Sequence, residues 1–203
     1  MFMKGFVKVA SAIPKVKVAD CRYNVVEINR LIQEAATSDV QIVVFPELSI
    51  TGYTCGDLFF QEALQEDALL GMLEIAEHTA HLDIISIVGL PIVIGQQLLN
   101  VAAVIQQGHI LGLIPKSYLP NYKEFYEQRW FVSAFDNLMS EYDIRGEHIP
   151  VGNDLLFSTP EVVFGIEICE DLWAPVPRSS FLAMQGAEII FNLSASNECV
   201  GKH

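Results

Sequence analysis

The sequence is poor in basic residues, and this shortage is the first constraint on its function. Only 12 lysines and arginines stand against 25 acidic residues, giving a formal net charge of −13. Phosphate backbones and anionic lipid repel a surface this acidic, so we expect neither nucleic acid nor a membrane as a partner. No apolar run is long enough to span a bilayer, and Lys4, Lys8, Lys15 and Lys17 interrupt the apolar N-terminus. Because no signal-peptide pattern is present, we expect a cytoplasmic protein.

Cysteine is scarce as well. Cys21, Cys55, Cys169 and Cys199 form no Cys-x-x-Cys pair, and a cytoplasmic chain keeps its thiols reduced, so we expect no disulfide framework. The sequence also lacks a Gly-x-Ser-x-Gly elbow, a P-loop and a Gly-x-Gly-x-x-Gly motif after a strand. Its five histidines show no metal-ligand spacing. We therefore predict no metal site and no cofactor for this domain.

What is present is enough apolar material for a sizeable core. Apolar residues make up 51% of the 203 residues and charged residues 18%, which fits one domain and argues against disorder. Strand-like and helix-like segments alternate, and this predicts an α/β domain with helices covering a mixed sheet. The predicted strands are 6–13, 41–45, 84–88, 92–94, 98–106, 110–114, 155–157, 162–168 and 188–193. The predicted helices are about 23–36, 61–80 and 179–185.

Local signals refine three of these elements. Asp20 is placed to cap the first helix, and Gln107-Gly108 is typical of a hairpin turn. Leu69, Leu73, Ala76 and Ala80 form the apolar stripe that we expect the second helix to bury. Residues 116–152 are polar and aromatic with little periodicity, so we expect them to be largely irregular and to line the entrance of a site.

Three chemically useful side chains occupy the same kind of position, just after a buried strand. Glu47 follows the apolar run 43–46, Lys116 follows 113–115, and Cys169 follows 164–168. Sites in α/β sheets assemble at strand ends. A carboxylate can take a thiol proton, the thiolate can attack a carbonyl carbon, and an ammonium can stabilise the oxyanion.

Each of these residues also has a plain structural interpretation. A cysteine at the end of an apolar strand is usually a small core residue, and Glu47 and Lys116 could be a turn cap and a surface charge. The acids around the cysteine, Glu167, Glu170 and Asp171, would raise a thiol pKa if they faced it. The sequence leaves open which of the three does so.

Three segments carry these residues: Phe45-Pro46-Glu47-Leu48, Pro115-Lys116 and 167–173. They resemble the signature segments of the carbon–nitrogen hydrolase (nitrilase) superfamily, in its order of Glu, Lys and Cys. Further segments stand at 51–59, 118–122, 125–131 and 192–196. These are similar to the glutaminase domain of glutamine-dependent NAD synthetases, and the resemblance covers nearly the whole chain.

The resemblance implies an α-β-β-α sandwich and a role for each matching residue. Glu47 is implied as general base and acid, Lys116 as the oxyanion stabiliser and Cys169 as the nucleophile. Glu127 resembles an additional carboxylate that orients Lys116. Residues that resemble the glutamine-holding positions are Tyr122, Glu170 and Ser196, together with Lys202, which stands where relatives tend to carry Arg.

The resemblance also implies what lies outside this sequence. Residues 1–203 are expected to be the glutaminase domain, truncated at its C-terminus, while ATP and magnesium belong to a synthetase domain absent here. The expected partners are glutamine, that synthetase domain and further copies of the chain. Two alternatives stay open: a stand-alone nitrilase-type amidase or carbamoylase, and a non-catalytic assembly module.

Overall fold

The computed structural model describes residues 6–137, 139–197 and 200–201. Two sheets pack face to face, and helices cover their outer faces. The strands are β1 Val9–Ser11, β2 Ile42–Val44, β3 Ile85–Ile94, β4 Gln97–Gln106, β5 His109–Pro115, β6 Glu141–Ile144, β7 Glu147–Pro150, β8 Leu156–Ser158, β9 Val163–Ile168 and β10 Ile189–Leu193. The helices are α1 Cys21–Thr37, α2 Glu62–His78, α3 Glu127–Trp130 and α4 Arg178–Met184.

Helices α1 and α2 pack on one face of the first sheet. The Asp20 carboxylate accepts a hydrogen bond from the Tyr23 N–H at 3.1 Å, which confirms the predicted cap of α1. The stripe predicted for α2 is only partly correct. Ala76 is buried and Leu69 and Leu73 are half-buried against the core, whereas Ala80, just past the helix, is exposed. The helix face that packs on the sheet is centred on a neighbouring row. That buried row is Leu64, Ala68, Gly71, Met72, Ile75 and Ala76.

The first sheet is mixed, with strand order β1-β2-β3-β4-β5. Strands β1, β2 and β3 are parallel, and β3, β4 and β5 are antiparallel. Gln107 and Gly108 take φ values of 49° and 85° in the β4–β5 turn, which confirms the predicted hairpin.

Strand β3 was predicted as two short strands and is one of ten residues. Pro91 suggested a break because proline cannot donate to a ladder. The pairing with β2 ends at Ile87, so at Pro91 only β4 is paired with β3. A proline is tolerated on such an open strand edge.

The second sheet has the order β10-β9-β8, with β10 parallel and β8 antiparallel to β9. One apolar core lies between the two sheets and includes Ile87, Val104 and Ile114 from the first and Ile166 and Ile168 from the second. Helix α4 covers the outer face of the second sheet. The predicted α-β-β-α order with mixed sheets is therefore confirmed.

The expectation for residues 116–152 is only partly correct. The antiparallel hairpin of β6 and β7 occupies 141–150, with Arg145 and Gly146 in its turn at φ values of 55° and 85°. Sequence reasoning missed it because its polar residues hide the alternation of Tyr142, Ile144 and Ile149. Among the described residues, no helix has the length and apolar character needed to cross a bilayer.

Candidate active site

A tight turn after β2 places Glu47. Within this turn Leu48 takes a φ of 52°, and the Ile50 N–H donates to the Gly89 carbonyl at 3.1 Å. A Cβ atom on Gly89 would lie 2.4 Å from the Leu48 nitrogen, which no real contact allows. The missing side chain at Gly89 therefore lets the turn lie against β3 and bury the Glu47 carboxylate.

Lys116 lies directly after β5, and its ammonium is shared by two carboxylates. Its Nζ is 2.6 Å from Glu47 Oε1 and 2.7 Å from Glu127 Oε1. All three side chains are almost completely buried, at 1–2% exposure for the residues. The interpretation of Lys116 as a surface charge is therefore wrong. A buried ammonium between two carboxylates is strongly held, because each group would be costly to bury alone.

Glu127 begins α3 and is held from the other side by Tyr53. The Tyr53 hydroxyl donates to Glu127 Oε1 at 2.7 Å. A second contact joins the same two segments at the surface. Asp57 accepts from both Arg129 Nε and Nη2 at 2.7 Å and from Trp130 Nε1 at 2.9 Å. These contacts dock the segment 53–60 against α3 and fix the position of Glu127.

Cys169 follows β9 and opens a 3-10 turn. Its φ is 45°, a conformation that is uncommon for residues other than glycine. The Ser194 hydroxyl, just after β10, donates to the Cys169 sulfur at 3.4 Å. Such backbone strain is kept only where the surroundings impose it, and it gathers at functional sites. The backbone leaves the strand direction at this residue.

Asp171 ties this turn to the segment that carries Lys116. Its Oδ1 accepts from the N–H groups of Ser117 at 3.0 Å and Tyr118 at 2.7 Å, and its Oδ2 accepts from Ile168 N–H at 3.0 Å. The carboxylate is buried. One side chain therefore joins the ends of β5 and β9, which lie in different sheets.

Glu167 and Glu170, the other two acids close to Cys169 in the sequence, contact other groups. Glu167 accepts from the Ser179 N–H at 2.8 Å and from Asn192 Nδ2 at 3.3 Å, so it anchors α4 and β10. Glu170 faces Tyr122, whose hydroxyl lies 3.1 and 3.0 Å from its two oxygens. These carboxylates are engaged with other groups rather than aimed at the sulfur.

Burial dominates the electrostatics of the site. Burial and then the Glu47 carboxylate raise the pKa of the Cys169 thiol, the Lys116 ammonium partly offsets them, and the resulting pKa is about 11. Burial and then Glu47 raise the pKa of Glu127 to about 7. Burial alone would lower the pKa of Lys116, but Glu47 and Glu127 outweigh it and the pKa is raised. At neutral pH the site therefore holds an ammonium and an unionised thiol.

The four residues predicted to hold substrate are placed less uniformly. Tyr122 and Glu170 both line an open cavity of about 890 Å³, which is also lined by Tyr118 and Phe131 from the aromatic region. Ser196 is exposed and lies three residues beyond β10. Lys202 lies outside the described residues.

The other thiols are separate from this cluster. Cys21 and Cys55 are buried in the core between the helices and the first sheet. Cys199 lies outside the described residues. Within the described part of the chain, no group of three or more His, Cys, Asp or Glu side chains is placed to hold a metal ion.

Sequence reasoning missed two residues that contact the cluster. Tyr53 was noticed only as part of a motif. Asn100 was not singled out, although its Nδ2 donates to Glu47 Oε1 at 2.7 Å. The available signal was a single amide within the apolar strand 98–105.

A thiol at a strand end, beside a buried carboxylate and ammonium in a four-layer sandwich, is the arrangement found in cysteine hydrolases. The model of the family described as Carbon-nitrogen hydrolase matches residues 8–202, and the chain belongs to this family.

Several relatives carry one name. The chain is 35% identical over 204 residues to a glutamine-dependent NAD(+) synthetase of Mycobacterium leprae, covering 99% of this chain and 30% of the relative. It superposes on the crystal structure of a glutamine-dependent NAD(+) synthetase from Cytophaga hutchinsonii with a TM-score of 0.85 and 32% identity. That match covers 97% of this chain and 32% of the other. The chain thus spans about 30% of the length of these relatives.

A more distant structure shares the fold alone. An amidase from Nesterenkonia sp. superposes with a TM-score of 0.75 at 17% identity, over 95% of this chain and 66% of that one.

Proposed function

We propose that this domain hydrolyses the side-chain amide of glutamine through a thioester on Cys169. The observation that carries the proposal is the buried Lys116 ammonium, which contacts Glu47 and Glu127 and acts on the pKa of the neighbouring thiol. A structural core has no use for a lysine in such a place. Amide cleavage needs a base, a nucleophile and an oxyanion donor, and this arrangement supplies all three.

The first half of the reaction begins with an unionised thiol. Because the Cys169 pKa is raised, the thiolate is not preformed, and the proton must pass to a base as the sulfur attacks. Glu47 takes that proton while Cys169 Sγ bonds to the amide carbon. The Lys116 ammonium and the Glu170 backbone N–H stabilise the oxyanion. Glu47 then protonates the nitrogen, the C–N bond breaks and ammonia leaves.

The second half regenerates the enzyme. Glu47 removes a proton from a water molecule, and the resulting hydroxide attacks the thioester carbon. The same two donors hold the second oxyanion. The C–S bond breaks, glutamate leaves and the proton on Glu47 returns to the sulfur. Glu127 stays outside these proton transfers and, with Tyr53, keeps the Lys116 ammonium in place.

Glutamine is the substrate that the recognition residues support best. Tyr122 and Glu170 border the open cavity, Glu170 directly follows Cys169 in the chain, and a carboxylate there suits the α-ammonium group of an amino acid. We assign Ser196 and Lys202 to the same task, the lysine toward the α-carboxylate. The names of the relatives support this choice, since each is described as glutamine-dependent.

The relatives extend the proposal beyond this chain. We infer that residues 1–203 are the glutaminase domain of an enzyme whose synthetase domain amidates nicotinic acid adenine dinucleotide with the released ammonia. ATP and magnesium would serve that synthetase domain, and this domain would need no cofactor. We further propose a homo-oligomer in the cytoplasm.

The test is whether the purified protein releases ammonia from glutamine, and whether a diazoketone analogue of glutamine modifies Cys169. We expect the wild-type protein to release ammonia and to be modified, and Cys169→Ala to lose both the ammonia release and the modification. Hydrolysis of propionamide or a carbamoyl amino acid in preference to glutamine would favour the stand-alone amidase. If no amide yields ammonia and Cys169 stays unmodified, the result would favour the interpretation as a non-catalytic assembly module.

A further inference from the structure

Asn100 is an amide in a place where apolar side chains are expected. It lies on β4 with 1% exposure, on the strand face that also carries Ala102 and Val104, both part of the core between the sheets. Its neighbours Leu99 and Val101 face the helices instead. Burying an amide in such a layer is costly unless it makes a hydrogen bond that matters.

The partner of this amide is the proposed catalytic base. Asn100 Nδ2 donates to Glu47 Oε1 at 2.7 Å, and Lys116 Nζ donates to the same oxygen at 2.6 Å. A carboxylate has no proton to donate, so the amide nitrogen must be the atom that faces it. The Asn100 backbone also takes part, because its carbonyl accepts from the Lys116 N–H at 2.8 Å. Asn100 therefore contacts both members of the pair.

The two oxygens of Glu47 are consequently unlike. Oε1 receives two donors, whereas Oε2 is buried with no hydrogen-bond partner among the residues that the structure describes. An oxygen that accepts two charge-assisted or amide hydrogen bonds is poorly placed to accept a proton. The free oxygen of the same carboxylate is the stronger base.

We propose that Asn100 is a positioning residue that fixes the plane of the Glu47 carboxylate and makes Oε2 the oxygen that exchanges a proton with Cys169. Lys116 cannot do this alone, because its ammonium is a compact charge on a flexible stem and is shared with Glu127. A planar amide on a paired strand supplies the fixed direction. The inference rests on the proposed role of Glu47 as the base.

The first test removes the donor. In Asn100→Ala we expect kcat for glutamine to fall roughly ten- to a hundredfold, the loss expected for one hydrogen bond to a charged group. KM should stay within about twofold because Asn100 is not assigned to substrate. The pH–rate profile should change as well, because the carboxylate that exchanges the proton has lost a hydrogen bond.

Asn100→Asp tests the same donor with almost no change in shape. The introduced carboxyl group can donate to Glu47 only while it is protonated, and once ionised it repels the neighbouring carboxylate. Activity relative to the wild-type protein should therefore be best at low pH and collapse as the pH rises. Because the change is nearly isosteric, Asn100→Asp still tests the proposal if Asn100→Ala does not fold.

Alkylation of Cys169 by iodoacetamide, followed by intact mass, gives a readout that needs no glutamine hydrolysis. Asn100→Ala should slow alkylation in the wild-type background and add no further loss to Glu47→Gln, because the residue acts through Glu47. If Glu47→Gln itself leaves alkylation unchanged, the proposed base is wrong, and that outcome differs from a failure of Asn100 alone.

Asn24 provides the matched control. It is a buried asparagine on α1 whose Nδ2 donates to the carbonyls of Lys17 and Ile50 rather than to a carboxylate. Asn24→Ala should lower Tm without moving the pH profile. If Asn100→Ala and Asn100→Asp behave like Asn24→Ala, with kcat and both pH profiles unchanged, Asn100 is only a structural residue and the proposal is overturned.

Discussion

The Asp171 carboxylate accepts a hydrogen bond from the backbone N–H of Tyr118 at 2.7 Å, joining the turn after Cys169 to the segment after Lys116. These two segments belong to different sheets, and apolar packing between sheets does not by itself fix their register. Hydrogen bonds have direction and do fix it. The distance between the thiol and the ammonium thus depends on a side chain that is placed outside the chemistry.

Asp171→Ala should lower both Tm and kcat. The change leaves three N–H groups without their acceptor: those of Ser117 and Ile168, which are buried, and that of Tyr118, which is part-buried. The cost is about 1–3 kcal/mol for each unsatisfied buried group. Asp171→Asn should be intermediate, because one oxygen remains and the new NH₂ group opposes the Ile168 N–H. Thermal unfolding measures the effect. Asp143→Ala, which removes an acceptor in the exposed β6–β7 turn, is the control, and an Asp171→Ala protein as stable as that control would contradict the prediction.

Lys116→Ala should cut glutamine hydrolysis by roughly a hundred- to a thousandfold, the usual cost of about 2.7–4 kcal/mol for one lost oxyanion donor. Cys169 alkylation should slow as well, since the ammonium favours the thiolate. The buried carboxylates of Glu47 and Glu127 would also lose their shared partner. We expect a stability loss of about 3–5 kcal/mol.

Lys116→Arg should not restore the activity, because a planar guanidinium cannot replace a compact ammonium between two carboxylates. Urea unfolding and steady-state kinetics on the same samples separate the two effects of these variants. Near-normal hydrolysis by a folded Lys116→Ala protein would rule out the mechanism.

Gly89→Ala should damage the site from the neighbouring strand. The added Cβ would meet backbone atoms of the Glu47 turn at 2.4 to 2.9 Å, and backbone cannot yield as a side chain can. We expect lower Tm and a clear loss of kcat with Glu47 itself intact. Gly112→Ala is the control, because its nearest contacts are side-chain atoms of Phe157 and Leu155 at 3.0 Å or more. Equal behaviour of the two variants would show that the turn tolerates displacement.

The raised pKa of Glu127 predicts the direction in which the free energy of unfolding changes with pH. Between its ordinary value of 4.5 and about 7, the folded state holds a proton that the unfolded chain has lost. The free energy of unfolding should therefore fall as pH rises through this window, on the order of 2 kcal/mol between pH 5 and pH 7.

Glu127→Gln should flatten that dependence, whereas Glu62→Gln, at the exposed start of α2, should leave it unchanged. Urea unfolding at pH 5, 6 and 7 checks both variants. An unchanged slope in Glu127→Gln would show that another group is responsible.

The sequence was most informative where apolar runs end abruptly. Glu47, Lys116 and Cys169 each follow a buried strand, and a strand end is a local property that composition reveals. The partners of these residues depend on long-range packing. Tyr53 donates a hydrogen bond to Glu127 although the two are 74 positions apart in the sequence, and no local sequence pattern indicates such a pair.

Long-range packing also decides which of the acids faces the thiol, and for this reason the sequence left that question open. Alternation on a strand stops at Ile168, and the positive φ of Cys169 redirects everything that follows. The directions of Glu170 and Asp171 are therefore set by the turn and by the backbone groups that the folded chain brings to them. The sequence likewise did not predict β3 as one continuous strand. Pro91 is acceptable only where one edge of the strand has no neighbour, and the sequence does not show where that is.

The hydrogen bond from Ser194 to the Cys169 sulfur carries a consequence for biosynthesis. Glu47 emerges from the ribosome early, Lys116 and Cys169 later, and Ser194 only after β10 has been made. Since β10 pairs with β9 along its whole length, the strand that leads into the thiol has an unpaired edge until then. The segment around the thiol can therefore reach its folded arrangement only after β10 has been made.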